Sequence, residues 1–290
     1  MTAGHRLRHI TLATDLTARS DRATERAIQL AAQFQAKLLV VHAVEAAVSA
    51  IWDGGPSWRR ALDLAEMARR RLFGDLPLSQ SVDIDVVVER GDPFEVVLRT
   101  CTDAGSDLLV TGVAREEIYG SSRAGRMVEQ LASRAPAPLL VVKRKAARPY
   151  RNLLIAIDLS PTSAAALHRA RQWWPGVEQT LFHAVDLSYA SLIGDLENTR
   201  RSVEDGAART CWEWASAELG EEEAKAVAVI AAYGEPSSLI GQFVWEKPVD
   251  LVVTGTERKG ILSRALLGSV AAAVVEKAPA DVLIVPTESG

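Results

Sequence analysis

Asp250-Leu-Val-Val-Thr-Gly-Thr-Glu-Arg-Lys-Gly-Ile-Leu-Ser-Arg-Ala-Leu-Leu-Gly-Ser-Val270 joins three readable pieces. Asp250 to Val253 is a short apolar run suited to a strand, and Ser269 to Lys277 has the pattern of a helix. Between them lies a glycine-marked loop. A loop that leads from a strand into a helix presents the unpaired N–H groups of the helix start, which is where α/β proteins hold anions. An earlier stretch, Thr111 to Met127, has the same layout.

That likeness extends along the chain. A shift of 143 positions carries Asp15 onto Asp158 and Gly91-Asp92-Pro93 onto Gly234-Glu235-Pro236. It also carries Asp107, Gly112, Arg115, Gly125 and Ala135-Pro136 onto Asp250, Gly255, Arg258, Gly268 and Ala278-Pro279. Solenoid repeats have periods of roughly 20–50 residues, so a period this long means two whole domains. We place them at 1–145 and 146–290. The seam, Lys143-Arg-Lys-Ala-Ala-Arg-Pro149, reads as a solvated linker.

In the first half, His9–Ala13 and Lys37–Ala43 suit strands buried on both faces, the habit of parallel sheets. Ala23, Ala27, Leu30, Ala31 and Phe34 recur at helical spacing between them, with Ser20 or Asp21 available to start the helix. A longer helix is expected over Ser57–Phe73, its Arg69-Arg-Arg71 end complementing the negative end of the dipole. A strand over Val82–Glu89, a Pro93-led helix, a strand over Leu108–Thr111, a helix over Gly125–Arg134 and a strand over Leu139–Val142 complete it. The second half repeats the order: strands at Leu153–Ile157, Thr180–Val185, Ala226–Ala232, Leu251–Thr254 and Val282–Val285, with a helix after Ser160-Pro161 and a long one over Leu196–Leu219. Alternating strands and helices mean an α/β fold with two doubly wound parallel sheets. The last strands would be bare apolar edges unless paired, so the two halves are expected to join there as a built-in pseudo-dimer.

At 290 residues, 48% hydrophobic and with no apolar run of about 18 residues, the chain reads as cytoplasmic, with no membrane span. A net charge of −4 gives no general case for nucleic acid. Two cysteines, Cys101 and Cys211, are too few for a disulfide framework or zinc finger and read as buried thiols. No Ser-His-Asp order, HExxH or telling carboxylate pair appears, and no metal site is expected, since an Asp with His42 or His183 supplies two ligands at most.

Each half resembles a universal stress protein domain, through Ala-Thr-Asp15-Leu-Thr and Ala-Ile-Asp158-Leu-Ser, the G-[DE]-P helix opening and the loop after strand four. Nucleotide-binding members read G-x2-G-x9-G-[ST] there. The second half gives Gly255-x2-Arg258-x9-Gly268-Ser269 and the first gives Gly112-x2-Arg115-x9-Gly125-Arg126. The resemblance implies a flavodoxin-like, adenine nucleotide alpha hydrolase-like sheet of order 3-2-1-4-5, with a cleft between strands one and four. It further implies ATP, accompanied by Mg2+, as ligand. Thr254, Gly255, Gly268, Ser269 and Val270 would hold the phosphates in the second half, and Thr111, Gly112, Gly125 and Arg126 in the first. Asp158 after Ile157, and Asp15 after Thr14, would line the adenosine end, with backbone near Phe182 and His183, or Val41, holding the base. Arg115 and Arg258 stand where a glycine is expected, and two outcomes are open to each: filling the phosphate space, or pairing with a phosphate. The second loop, which keeps Gly-Ser, is the better preserved. The expectation is therefore a stress-response protein that binds an adenine nucleotide mainly in its second domain, hydrolysing it slowly at most, with a further homodimer possible. The alternative is a stress adaptor whose degenerate clefts hold no nucleotide.

Overall fold

The computed structural model describes residues 6–18, 20–44, 63–76, 82–113, 115–116, 122–123, 125–185, 196–258 and 268–288. In the first half, β1 (His9–Ala13), α1 (Asp21–Phe34), β2 (Lys37–Val44), α2 (Leu64–Asp75), β3 (Ile84–Arg90), α3 (Pro93–Asp103) and β4 (Leu108–Gly112) alternate. Two-residue strands β5 (Arg115–Glu116) and β6 (Ser122–Arg123) pair with each other before α4 (Arg126–Arg134) and β7 (Leu139–Val142). The second half runs β8 (Asn152–Ile157), α5 (Pro161–Trp173), β9 (Glu178–Val185), α6 (Leu196–Leu219), α7 (Glu221–Ala224) and β10 (Val227–Tyr233). It closes with α8 (Pro236–Glu246), β11 (Leu251–Arg258), α9 (Ser269–Lys277) and β12 (Asp281–Glu288).

Ten strands form one sheet in the order β10-β9-β8-β11-β12-β7-β4-β1-β2-β3, so each half has the order 3-2-1-4-5. Within each half the pairing is parallel. The halves meet where β12 pairs antiparallel with β7, Leu283 opposite Leu140. The apolar edges expected at the last strands are therefore covered by each other. Alternation sends Leu140 and Val142 into one core and Leu139 and Val141 into the other, and both cores run through both halves.

Several local expectations change. The expected Ser57–Phe73 helix runs from Leu64 to Asp75, and residues 57–62 lie outside the described residues. Asp63 starts it, its side chain accepting from the Ala65 N–H. The arginines do not end it: Arg70 and Arg71 pair with Glu66 and Asp75 one turn away, a better local partner than the dipole. Ser160 caps α5 by accepting from Ser163 N, but Ser20 does not cap α1, because its hydroxyl is bonded to Asp15. On α6, Trp212 is exposed and Trp214 packs on the core, as two residues two apart on a helix must divide.

The seam differs most from expectation. Arg144 to Pro149 lie mainly at the surface, but Lys143 and Tyr150 are buried and both ends are pinned to Asp281, which is 0% exposed. Asp281 Oδ1 accepts from the backbone N–H groups of Lys143 (2.8 Å) and Arg144 (2.9 Å), and Oδ2 from the Tyr150 hydroxyl (2.7 Å). Lys143 Nζ donates to the Ala278 carbonyl at 2.6 Å. Buried Arg26 of α1 brings Nε to 3.3 Å from Asp281 and lies over the Tyr150 ring at 4.2 Å. Tyr150 in turn packs edge-on against Trp174, which also meets Phe34 of the first half. Burying a carboxylate is tolerable only when its lone pairs are met in this way.

Asp281→Ala would leave Arg26 buried without its counter-charge and free two backbone N–H groups. We expect a loss of about 3–5 kcal/mol in urea unfolding. Replacing both members (Arg26→Met with Asp281→Leu) should cost less than the sum of the single changes.

Candidate functional site

In the first half, β1 and β4 are neighbours whose following helices, α1 and α4, lie on opposite faces, and the sheet opens between their carboxyl ends. A cavity of about 330 Å³ occupies this opening, at the lower end of the roughly 300–1,000 Å³ usual for small-molecule sites. Thr14 and Asp15 beyond β1, His42 and Ala43 of β2, and Thr111 and Gly112 of β4 form its floor and polar side. Pro93 and Val97 of α3, with Gly125 and Met127 at the start of α4, form its apolar wall. Val41 does not face it: the side chain is fully buried in the core and the carbonyl accepts from Thr14 N–H at 3.0 Å. Ala43, two residues further on the same face, lines the cavity. Arg126 is the exposed first residue of α4, and Arg115 pairs through its backbone with Arg123.

The second half places its residues differently. Ile157 and Phe182 are core residues, the Phe182 ring lying against Phe243 at 5.5 Å. Thr254 is buried, while Gly268 and Val270 are exposed at the start of α9. Gly255 is needed for packing: a Cβ there would stand 2.2 Å from the carbonyl oxygen of Thr162 in α5. Arg258 does not require a glycine-like backbone, because β11 continues as strand through it, opposite Glu288 of β12. The side chains of Arg258 and Ser269, and residues 259–267, lie outside the described residues.

Both halves build the same turn around the first aspartate. Asp15 Oδ1 accepts from Ser20 Oγ (2.6 Å), Thr17 N (2.9 Å) and Thr17 Oγ1 (2.8 Å), while Asp15 N donates to Ser20 Oγ (3.3 Å). Asp158 Oδ1 accepts from Ser163 Oγ (2.6 Å) and Ser160 N (3.0 Å), and Asp158 N donates to Ser163 Oγ (2.9 Å). The next residue is left-handed in both, Leu16 at φ 59° and Leu159 at φ 65°. A leucine in that region costs roughly 1–3 kcal/mol and persists only where its surroundings hold it. Both leucine side chains pack on the core. His42 and His183 sit beside these turns, Nδ1 of each at 2.9 Å from the carbonyl oxygen of Thr14 and Ile157.

Burial alone would raise the pKa of Asp15 and Asp158, but the hydroxyl and backbone donors outweigh it and hold both carboxyls below their ordinary pKa. The sequence alone points to the aspartates and histidines. It does not point to Ser163, the role of Ser20 or the left-handed leucines. A usable signal exists, since Asp-x4-Ser recurs at the 143-residue shift.

A model of the universal stress protein family matches residues 6–143 and again residues 149–286. The chain belongs to the universal stress protein family. A Staphylococcus haemolyticus protein, provisionally named a universal stress protein, is 29% identical over 148 residues, covering 48% of this chain and 86% of its own. A Staphylococcus aureus relative similarly named is 30% identical over 148 residues, with the same coverage. The solved structure of a universal stress protein from Archaeoglobus fulgidus matches with a TM-score of 0.62 at 17% identity, covering 96% of this chain and 98% of that one. A functionally unknown protein of Pseudomonas aeruginosa matches with a TM-score of 0.65 at 16% identity, covering 97% and 92%. At these identities the structures speak to the fold, two such domains in tandem. No helix among the described residues is long and apolar enough to cross a membrane.

Two measurements test the packing of this tandem universal stress protein. Gly255→Ala should lower stability by about 1–3 kcal/mol in thermal or urea unfolding, since Thr162 backbone must shift. Gly268→Ala, with open space around the new methyl, should stay within about 1 kcal/mol. Because the folded aspartates take up protons at lower pH than the unfolded chain, their contribution is complete above the ordinary value of 3.8 and is lost as pH falls through the lower folded values. Ser20→Ala and Ser163→Ala should therefore be less stable than the parent at neutral pH, with the gap closing on acid titration followed by circular dichroism.

Proposed function

We propose that the chain binds an adenine nucleotide in a stress response, and that the first-half cleft takes the nucleoside end. The cavity between β1 and β4 carries this reading. It lies at the switch point of the sheet, with apolar walls suited to a flat base. Asp15, held ionised by donors on Oδ1, keeps acceptor capacity for ligand hydroxyls. Gly125 at the start of α4 offers helix N–H groups for phosphate.

A second site, after β11, is favoured by the retained Gly268-Ser269 at the start of α9. Mg2+ would accompany the nucleotide on its phosphates. Among the described residues no group of three His, Cys, Asp or Glu side chains is placed to hold a metal ion by itself. The proposed role is binding without rapid turnover, since among the described residues no side chain is assigned as a general base.

Calorimetric titration with ATP and Mg2+ tests the reading. The parent should bind, Gly125→Trp should abolish the first-half event, and Gly268→Trp any second-half event. Gly125 has φ −64°, so the indole enters without backbone strain. Binding that ignores Gly125→Trp would move the site out of the first cleft. A parent that binds no ATP would leave the nucleotide-free adaptor as the better account.

A further inference from the structure

We propose that His42 and His183 are positioning residues, each holding the strained turn that presents the adjacent aspartate, Asp15 or Asp158, to its cleft. Three observations converge on this. A carbonyl oxygen only accepts, so Nδ1 of each histidine carries the proton and donates, at 2.9 Å, to the peptide immediately before the aspartate. Directly after the aspartate the chain turns through a left-handed leucine, a conformation that local preference opposes. The peptide before the aspartate is tied by the imidazole from the second strand, and the residue after it by its leucine side chain, packed against the core. Between these ties the carboxylate has one orientation, fixed further by the serine five residues on.

The device occurs twice, at equivalent positions, although the two halves differ at the start of the helix after strand four. Strain of this kind is held where a side chain must be aimed. In Asp15 the aim is into the cavity. One ring nitrogen of His42 and of His183, Nδ1, is thereby committed to the backbone. This assignment rests on the nucleotide reading only for the identity of what the aspartate meets, since the positioning itself can be measured without ligand.

The test compares His42→Asn with His42→Gln in the full chain. An asparagine amide can place its N–H near the position of Nδ1 and donate to the Thr14 carbonyl, whereas a glutamine amide reaches the position of Nε2 and does not. Carboxyl NMR titration of Asp15 should stay below the ordinary value in the parent and in His42→Asn, and rise toward it in His42→Gln. ATP affinity should fall about tenfold in His42→Gln, the scale of one misplaced hydrogen-bond partner, and stay within about threefold of the parent in His42→Asn. A parent that binds no ATP would remove the nucleotide reading, yet the carboxyl titration would still decide the positioning role. Equal Asp15 titration in both folded variants would overturn it. Should either variant fail to fold, the same pair of substitutions at His183, read on the Asp158 carboxyl, decides the matter by the same criterion.

Discussion

The carboxylate of Asp281 is buried without solvent at the one place where the two halves of the chain are joined, and the join depends on its partners. It collects the end of β7, the start of the linker, the Tyr150 hydroxyl and the Arg26 guanidinium. Such a group is costly unless every lone pair is met, so the linker has little freedom to be anywhere else. The pairing of β7 with β12 would otherwise rest on three facing apolar pairs between short strands. The carboxylate adds a specific register to an interaction that hydrophobic burial alone would leave loosely specified.

That geometry has a consequence for the sites. Because β12 runs against β7 while the strands that each half gives to the ten-stranded sheet are parallel, the carboxyl ends of the two sets lie at opposite ends of that sheet. The first cavity therefore opens at the end of the sheet opposite to the carboxyl ends of the second half's strands. The two halves are not independent in packing, because α4, which begins at the first cavity, touches β11 and β12, and α9 touches β6. Each cleft helix is also part of the wall of the other half, and both cores are continuous across the seam.

Much of the fold is legible in the sequence because its signals are local and duplicated. Apolar runs such as Leu153–Ile157, the Pro93 and Pro161 helix starts and the 143-residue shift each report short-range chemistry. What stays hidden depends on contacts far apart in sequence. Lys143 looks like linker charge until Ala278 and Asp281 are beside it, 135 and 138 residues away. Asp281 falls on Pro138 under the repeat shift, so duplication can only mark it as a departure. Resemblance gives the backbone at Val41 a place near the base, and strand alternation seats its side chain in the core and sets Ala43 at the cavity. Gly255 reads as a phosphate-loop glycine, and in the fold it also makes room for the carbonyl of Thr162.

The pattern of divergence between the halves follows from what each feature must withstand. A left-handed leucine is stable only while its surroundings over-determine it, so losing the histidine, the serine or the core contact would release the turn. All of these are retained in both halves. The start of a solvent-facing helix has no such requirement: water can satisfy its N–H groups, so Gly125-Arg126 and Gly268-Ser269 both begin a helix. The two halves differ where the backbone tolerates it, at the helix starts and at the join. They agree at the aspartate turn, where histidine, serine and left-handed leucine act on one short piece of backbone.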